Sequence, residues 1–195
     1  IIWGASATTG PKAPLGTYTV QMKVGPEVIK SYPFKIEMDP NLKGITAEDL
    51  QKQFELASKI TKKATIANEA VIQIRSIRKQ LDSLGKGISS RKFTKLTEDF
   101  METLTEIEND LYQTKNQSGQ DPLNFPIKLN NRFNALQRSI ENGDARPTDA
   151  AYVVYDELVA ELETHMAKLN SALKNKLPKI NSVLQKEGME PISSK

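Results

Sequence analysis

From Thr148 to about Gln185 apolar residues return every three or four positions: Ala151, Tyr155, Leu158, Leu162, Leu169, Leu173, Leu177, Ile180 and Leu184. That period lines side chains up on one face of an α-helix. At ~1.5 Å of rise per residue, such a helix runs on the order of 55 Å, longer than a small globular domain is wide. An apolar stripe of that length needs other long helices beside it. Pro178 falls inside the stripe and removes a backbone hydrogen bond, so a kink or break is expected near Asn175 to Leu177.

The chain supplies the partners. Thr46, with Asp49 three positions on, has the form of a capping box and starts a first helix whose stripe is Leu50, Phe54, Ala57, Ala64, Ala67, Val71, Ile74, Ile77, Leu81 and Leu84. Its central alanines allow a close neighbour. Gly85 and Gly87 stop this helix, one of them in the left-handed conformation. Ser89 or Ser90 caps a second helix with Phe93, Leu96, Phe100, Leu104, Ile107 and Leu111 on its inner face. After a polar loop from Gln113 to Phe125, Pro126 opens a short third helix carrying Leu129, Phe133, Leu136 and Ile140, which Asn142-Gly143 ends. Short connections favour antiparallel neighbours, and the reading is an antiparallel up-down four-helix bundle over residues 46–187. The last helix would then return toward the start of the chain and bring Met189, Pro191 and Ile192 of the 188–195 tail against the β segment.

Residues 1–40 have β character. Tyr18, Val20, Met22 and Val24 alternate with polar residues from Gly16 to Val24, Gly25-Pro26 marks a turn, and Phe34, Ile36 and Met38 line one face of a return strand over 28–38. Pro33 has no amide proton and points to an edge strand or a bulge. Ile1 to Trp3 reads as a further short strand. So few strands bury little apolar surface, whereas immunoglobulin- and fibronectin-type sandwiches end in such a hairpin. The segment is therefore expected to be the closing part of a β-sandwich whose earlier strands lie upstream. Tyr18 takes the place of the corner tyrosine of such domains, or packs simply because strands favour aromatics. Residues 41–45 are a linker.

Charge and composition exclude several classes. Lys and Arg total 27 against 24 Asp and Glu, and the chain has no cysteine, so neither a disulfide scaffold nor a thiolate site is open to it. No run approaches the ~18 apolar residues of a membrane span, and residues 1–4 lack the features of a signal peptide. Arg75, Arg78, Lys79, Lys86, Arg91, Lys92 and Lys95 cluster at the first turnaround, but Glu98, Asp99, Glu102, Glu106, Glu108 and Asp110 answer them on the second helix. Without interleaved aromatics this reads as paired helix surfaces, not a nucleic-acid site.

Catalytic chemistry is scarce. His165 is the sole histidine, so histidine-based metal sites lack a second imidazole and a triad would have one choice of base. Glu161 lies one turn from His165, without the repeated Glu-x-x-His pattern of di-iron bundles. Glu157, Glu161 and Glu163 sit on one helix, not across a cleft as paired glycosidase carboxylates do. Gly85-Lys86-Gly87 is too short for a phosphate loop. No catalytic, cofactor or metal residue is assigned.

Four pieces, Ala13 to Val20, Met38-Asp39-Pro40, Leu123 to Asn131 and Pro147-Thr148, resemble in order the C-terminal region of bacterial exported proteins built on a sortilin-like, Asp-box (BNR-type) β-propeller, often labelled glycosyl hydrolases. Trp3 looks like the tryptophan of the strand that precedes them. No Asp-box repeat occurs in this chain, so the resemblance implies that any hydrolase chemistry belongs to the propeller. It also implies a periplasmic or extracellular location, an upstream propeller as partner, and a non-catalytic role. Asn124, Phe125, Lys128 and Asn130 are the residues through which the loop would reach that partner or complete a composite glycosidase site. Trp3, Tyr152 and Tyr155 would serve a carbohydrate surface, with a glycan or an envelope protein as ligand.

Overall fold

The computed structural model describes residues 10–84, 87–88 and 90–194. The expected strand at Ile1 to Trp3, the tryptophan itself, the stop at Gly85, Lys86 of the basic cluster and the alternative cap Ser89 lie outside them. The rest is mainly helical, with a two-stranded antiparallel sheet ahead of the helices. β1 spans Gly16–Val24 and β2 spans Glu27–Ile36. They are followed by α1 (Ala47–Leu84), α2 (Arg91–Leu111), α3 (Leu129–Ile140), α4 (Asp149–Asn175) and α5 (Leu177–Lys186).

Helix ends follow local chemistry. The Asp49 amide donates to Thr46 Oγ1 at 3.2 Å while the Thr46 amide donates to Asp49 Oδ2 at 3.0 Å, a reciprocal capping box. The Thr46 hydroxyl also donates to Asp49 Oδ2 at 2.7 Å, and that bond, followed by the one from the Thr46 amide, holds the Asp49 carboxyl below the usual aspartate range. Ser90 and Thr148 cap α2 and α4. The expected break arrives at Lys176, where α4 ends and α5 begins with Pro178 in its first turn. α3 starts later than Pro126, at Leu129, because the Pro126 carbonyl is turned to the Gln113 side-chain amide. Gly87 is not left-handed; among the described residues the left-handed glycine that follows a helix is Gly188, beyond α5.

One core joins the helices. Leu56, Ile60, Ile74, Ile77, Phe100, Leu104, Phe133, Leu158, Leu162 and Ile180 are fully buried in it. Leu56 and Ile60 fall outside the single stripe expected for α1, because α1 packs against α2, α3 and α4 and so buries a wider arc. Cross-links give the directions. Arg75 of α1 reaches Glu108 of α2 while Arg78, a turn further on, reaches back to Thr105 as well as Glu108, and the α1–α3 pairs are Asn68 with Asn130, Thr61 with Gln137 and Gln53 with the Ile140 carbonyl. Both α2 and α3 therefore run against α1. Arg146, ahead of α4, pairs with Asp49 in the first turn of α1 and Glu163 pairs with Lys63 further along both helices, so α4 runs with α1, and α5 continues it. Simple alternation thus fails at α3, which continues the descent begun by α2 instead of turning back.

That difference moves the tail. Ile192 is buried, held by Asn181 of α5 through two bonds of 2.9 and 3.1 Å, and Ser193 exchanges two bonds with Gln80 of α1. The segment just ahead of β1 meets the opposite end of α1, where Leu50, Gln53 and Phe54 adjoin Pro14 and Leu15. Some 25 residues of helix separate the two places, ~40 Å at 1.5 Å per residue. The tail packs on α1 and α5, and not on the β segment as expected.

In the hairpin, Tyr18 faces Phe34 and Val20 faces Tyr32, so the alternating residues do share one face. The register shift lies between Met22 and Lys23, and the ladder passes Pro33 opposite Thr19 without a break. Pro33 is therefore not the site of a bulge.

Candidate interaction surface

The loop between α2 and α3 and the start of α3 carry the residues singled out above. Asp121 organises this loop: its carboxylate accepts from the amides of Gln117 and Ser118 and from the Ser118 hydroxyl, which together hold its pKa below the usual range. Asn124 then closes a short 3₁₀ turn over Asp121–Leu123, its amide 2.9 Å from the Asp121 carbonyl, and its side chain is exposed. Phe125 is half-buried, with the Lys115 ammonium 5.7 Å from its ring centroid. Lys128 is the N-cap of α3 by its carbonyl, not by its side chain. Asn130 is buried; its Nδ2 donates to Asn68 Oδ1 at 3.1 Å and its Oδ1 accepts from the Asn131 amide. So Asn124, Phe125 and Lys128 stand on the loop's outer side or its edge, and the Asn130 side chain is a bolt between α1 and α3.

Asn130 belongs to a polar seam between α1 and α3. Gln53 Nε2 donates to the carbonyls of Ile140 and Gly143 at 2.6 and 2.7 Å, tying off the end of α3, and Gln137 accepts from Thr61. The signal was present: Gln53, Thr61 and Asn68 recur at eight and seven residues, matching Asn130 and Gln137 across the seam. Asn134, also buried on α3, has no hydrogen-bond partner for Nδ2 among the described residues.

The candidate carboxylates diverge. Glu161 accepts from Arg132 of α3 at 2.6 Å, Glu163 pairs with Lys63 of α1 at 3.3 Å, and Glu157 is exposed. His165 is buried at the wall of a cleft of about 710 Å³ between α2 and α4, with Nδ1 3.9 Å from Asp110 Oδ2. That separation is too long for a hydrogen bond and leaves a Coulombic contact when the imidazole is protonated. Ser171, on the same cleft, accepts from Asn175 and not from His165. No group of three or more metal-ligating side chains converges among the described residues. Tyr152 and Tyr155 are half-buried against the core, and burial raises the Tyr155 phenol above its usual range.

Glu108 is the most enclosed acid. It lies buried between Arg75 and Arg78, bonding the Arg75 Nε at 2.7 Å, while Arg75 covers the Tyr112 ring at 4.8 Å. Two of the basic cluster's three arginines are thereby tied to the acidic helix beside them.

The hairpin is the remaining surface. Val20, Met22, Val24, Tyr32 and Phe34 are all exposed, and neither strand packs on a helix among the described residues. Tyr18 and Phe34 stack with ring centroids 5.7 Å apart, and Tyr18 Oη donates to the Pro14 carbonyl at 2.6 Å. No helix among the described residues is long and apolar enough to cross a membrane. Set against family models, curated proteins and solved structures, the chain matches none of them.

Proposed function

We propose that this chain is a non-catalytic accessory module: a scaffold or interaction piece at the C-terminal end of a bacterial exported Asp-box propeller protein. One observation carries the reading. The side chains that would otherwise build a reactive site instead join helix to helix, as in Glu108 with Arg75 and Arg78, Glu161 with Arg132, and Glu163 with Lys63. Chemistry used this way stiffens a body and leaves function to its surfaces. The resemblance of residues 13–20 and 123–131 to the propeller proteins supplies the parent, the periplasmic or extracellular setting and the upstream propeller as partner.

The β segment is, in this reading, the closing hairpin of an immunoglobulin- or fibronectin-like sandwich. Tyr18 supports it: a tyrosine at the start of a strand whose hydroxyl reaches a backbone carbonyl four residues back has the geometry of a sandwich corner.

The test is association with the separately expressed propeller, read by co-elution on a sizing column and titration calorimetry. Stable association is expected, and its absence would overturn the reading. A second reading, in which the loop completes a glycosidase site in the propeller, is favoured by the exposure of Asn124 beside half-buried Phe125. Under it Lys128→Ala would abolish parental hydrolysis with the fold intact, whereas under the scaffold reading hydrolysis survives.

A further inference from the structure

The tail after α5 is held in the way that a bound peptide is held. Left-handed Gly188 ends the helix and the Met189 amide returns to the Leu184 carbonyl at 2.9 Å, so the chain folds back over α5. It then crosses a groove between α5 and α1 without regular structure of its own. Ile192 is 3% exposed and shares one core with Ile180 and Leu184, whereas Glu190, Pro191, Ser193 and Ser194 are exposed.

Helix side chains read the main chain at and after this anchor. Asn181 Oδ1 accepts from the Ile192 amide at 2.9 Å and its Nδ2 donates to the Ile192 carbonyl at 3.1 Å. Gln80 does the same for Ser193, at 2.9 and 3.0 Å, and Gln73, seven residues earlier on the same helix, donates to the Ser194 carbonyl. A carboxamide carries both an acceptor and a donor, so one side chain satisfies both main-chain groups of one residue, as a neighbouring strand does. Bonds of this kind recognise a backbone whatever its side chains, and selectivity falls to the single buried position. Pro191 restricts the free segment and lowers the entropy lost on docking. All of these attachments can be released without breaking a helical hydrogen bond.

We infer that residues 189–194 are a latch: the groove between α1 and α5 is a peptide site whose ligand is this chain's own tail, bound in cis through Ile192 and released as a unit while the helices stay folded. Closed, the site is filled. Open, it presents an apolar hole flanked by Asn181, Gln80 and Gln73, and it accepts the same segment supplied in trans. The inference rests on the tail alone and holds whatever the parent protein is, so its failure and that of the propeller reading are separable.

The probe is a synthetic peptide copying Gly188–Ser194, titrated by calorimetry into the full chain and into its Ile192→Asp variant. An unpaired carboxylate is not held in an apolar core, so the variant keeps the latch open, with the helical circular dichroism unchanged. A closed latch leaves only a fraction of the sites free, and the peptide should therefore bind the variant about tenfold or more tighter than the unmodified chain. Adding Asn181→Ala to the variant should weaken that binding about tenfold. Hydrogen exchange on the unmodified chain needs no substitution: the Ile192 and Ser193 amides should exchange about tenfold or more faster than those in the middle of α1. Equal peptide affinity for the two chains, binding indifferent to Asn181→Ala, tail amides as protected as those of α1, or loss of the helical signal in Ile192→Asp would each overturn the inference. So would a dimer of the unmodified chain that Ile192→Asp dissolves, since the ligand would then be a second copy's tail.

Discussion

The helical body and the hairpin carry apolar rows of equal regularity and meet different fates. Ile74 and Ile77 of α1 are fully buried because α2, α3 and α4 surround that helix. Val20 and Met22 of β1 stand in solvent because no element of the described chain lies over them. Periodicity therefore states which residues share a face, and only the count of neighbouring elements states whether the face is covered. The body has its core within itself, whereas the hairpin has half of one.

Matched substitutions sharpen this contrast most. Phe100→Ala, in the core, should cost about 3–5 kcal/mol in urea unfolding followed at the helical signal. Phe34→Ala, on the hairpin, should stay within about 0.5 kcal/mol; similar losses at both sites would mean that the two regions fold as one unit. Next in size is the enclosed ion cluster. Glu108→Ala strands Arg78 against the core and should cost about 3 kcal/mol, while Arg75→Ala, whose guanidinium is half exposed, should cost about 1 kcal/mol or less. Equal costs would show that Glu108 is solvated in solution. Asn130→Ala should lower stability by about 1–2 kcal/mol, leaving the Asn68 amide without its partner. Lys128→Ala, two residues away at the N-cap of α3, should stay within about 0.5 kcal/mol, and the reverse order would show that the polar seam does not hold α3.

The smallest effect is a titration. The Asp49 carboxyl lies below the usual range because Thr46 donates to it, so its share of stability is present above the ordinary aspartate value near ~4 and is lost as pH falls through its lowered midpoint. In NMR titrations of the full chain the Asp49 midpoint should rise toward the ordinary value in Thr46→Ala. An unchanged midpoint would assign the depression to something other than the capping box.

Much of the body was legible because its signals are local. The Thr46–Asp49 cap, the alternation of β1 and the break before Pro178 depend on neighbours within one turn or one strand. The direction of α3 was not, since the long α2–α3 loop permits either a reversal or a continuation, and that choice is decided by the seam of Gln53, Thr61 and Asn68 against α3. The tail followed the same error to the far end of α1. Among the candidate interaction residues, Asn124, Phe125 and Lys128 kept surface or edge positions, whereas Asn130 was drawn inward by Asn68, a partner 62 residues away whose polar spacing with Gln53 and Thr61 is read only when both helices are compared.

Native-state hydrogen exchange on the full chain tests the central contrast most directly. Amides of β1 and β2 should exchange through local opening, with protection free energies well below those of α1 and α4, which should approach the global stability. Hairpin amides protected as strongly as those of α1 would contradict the account, because the hairpin would then be covered or coupled to the helices after all.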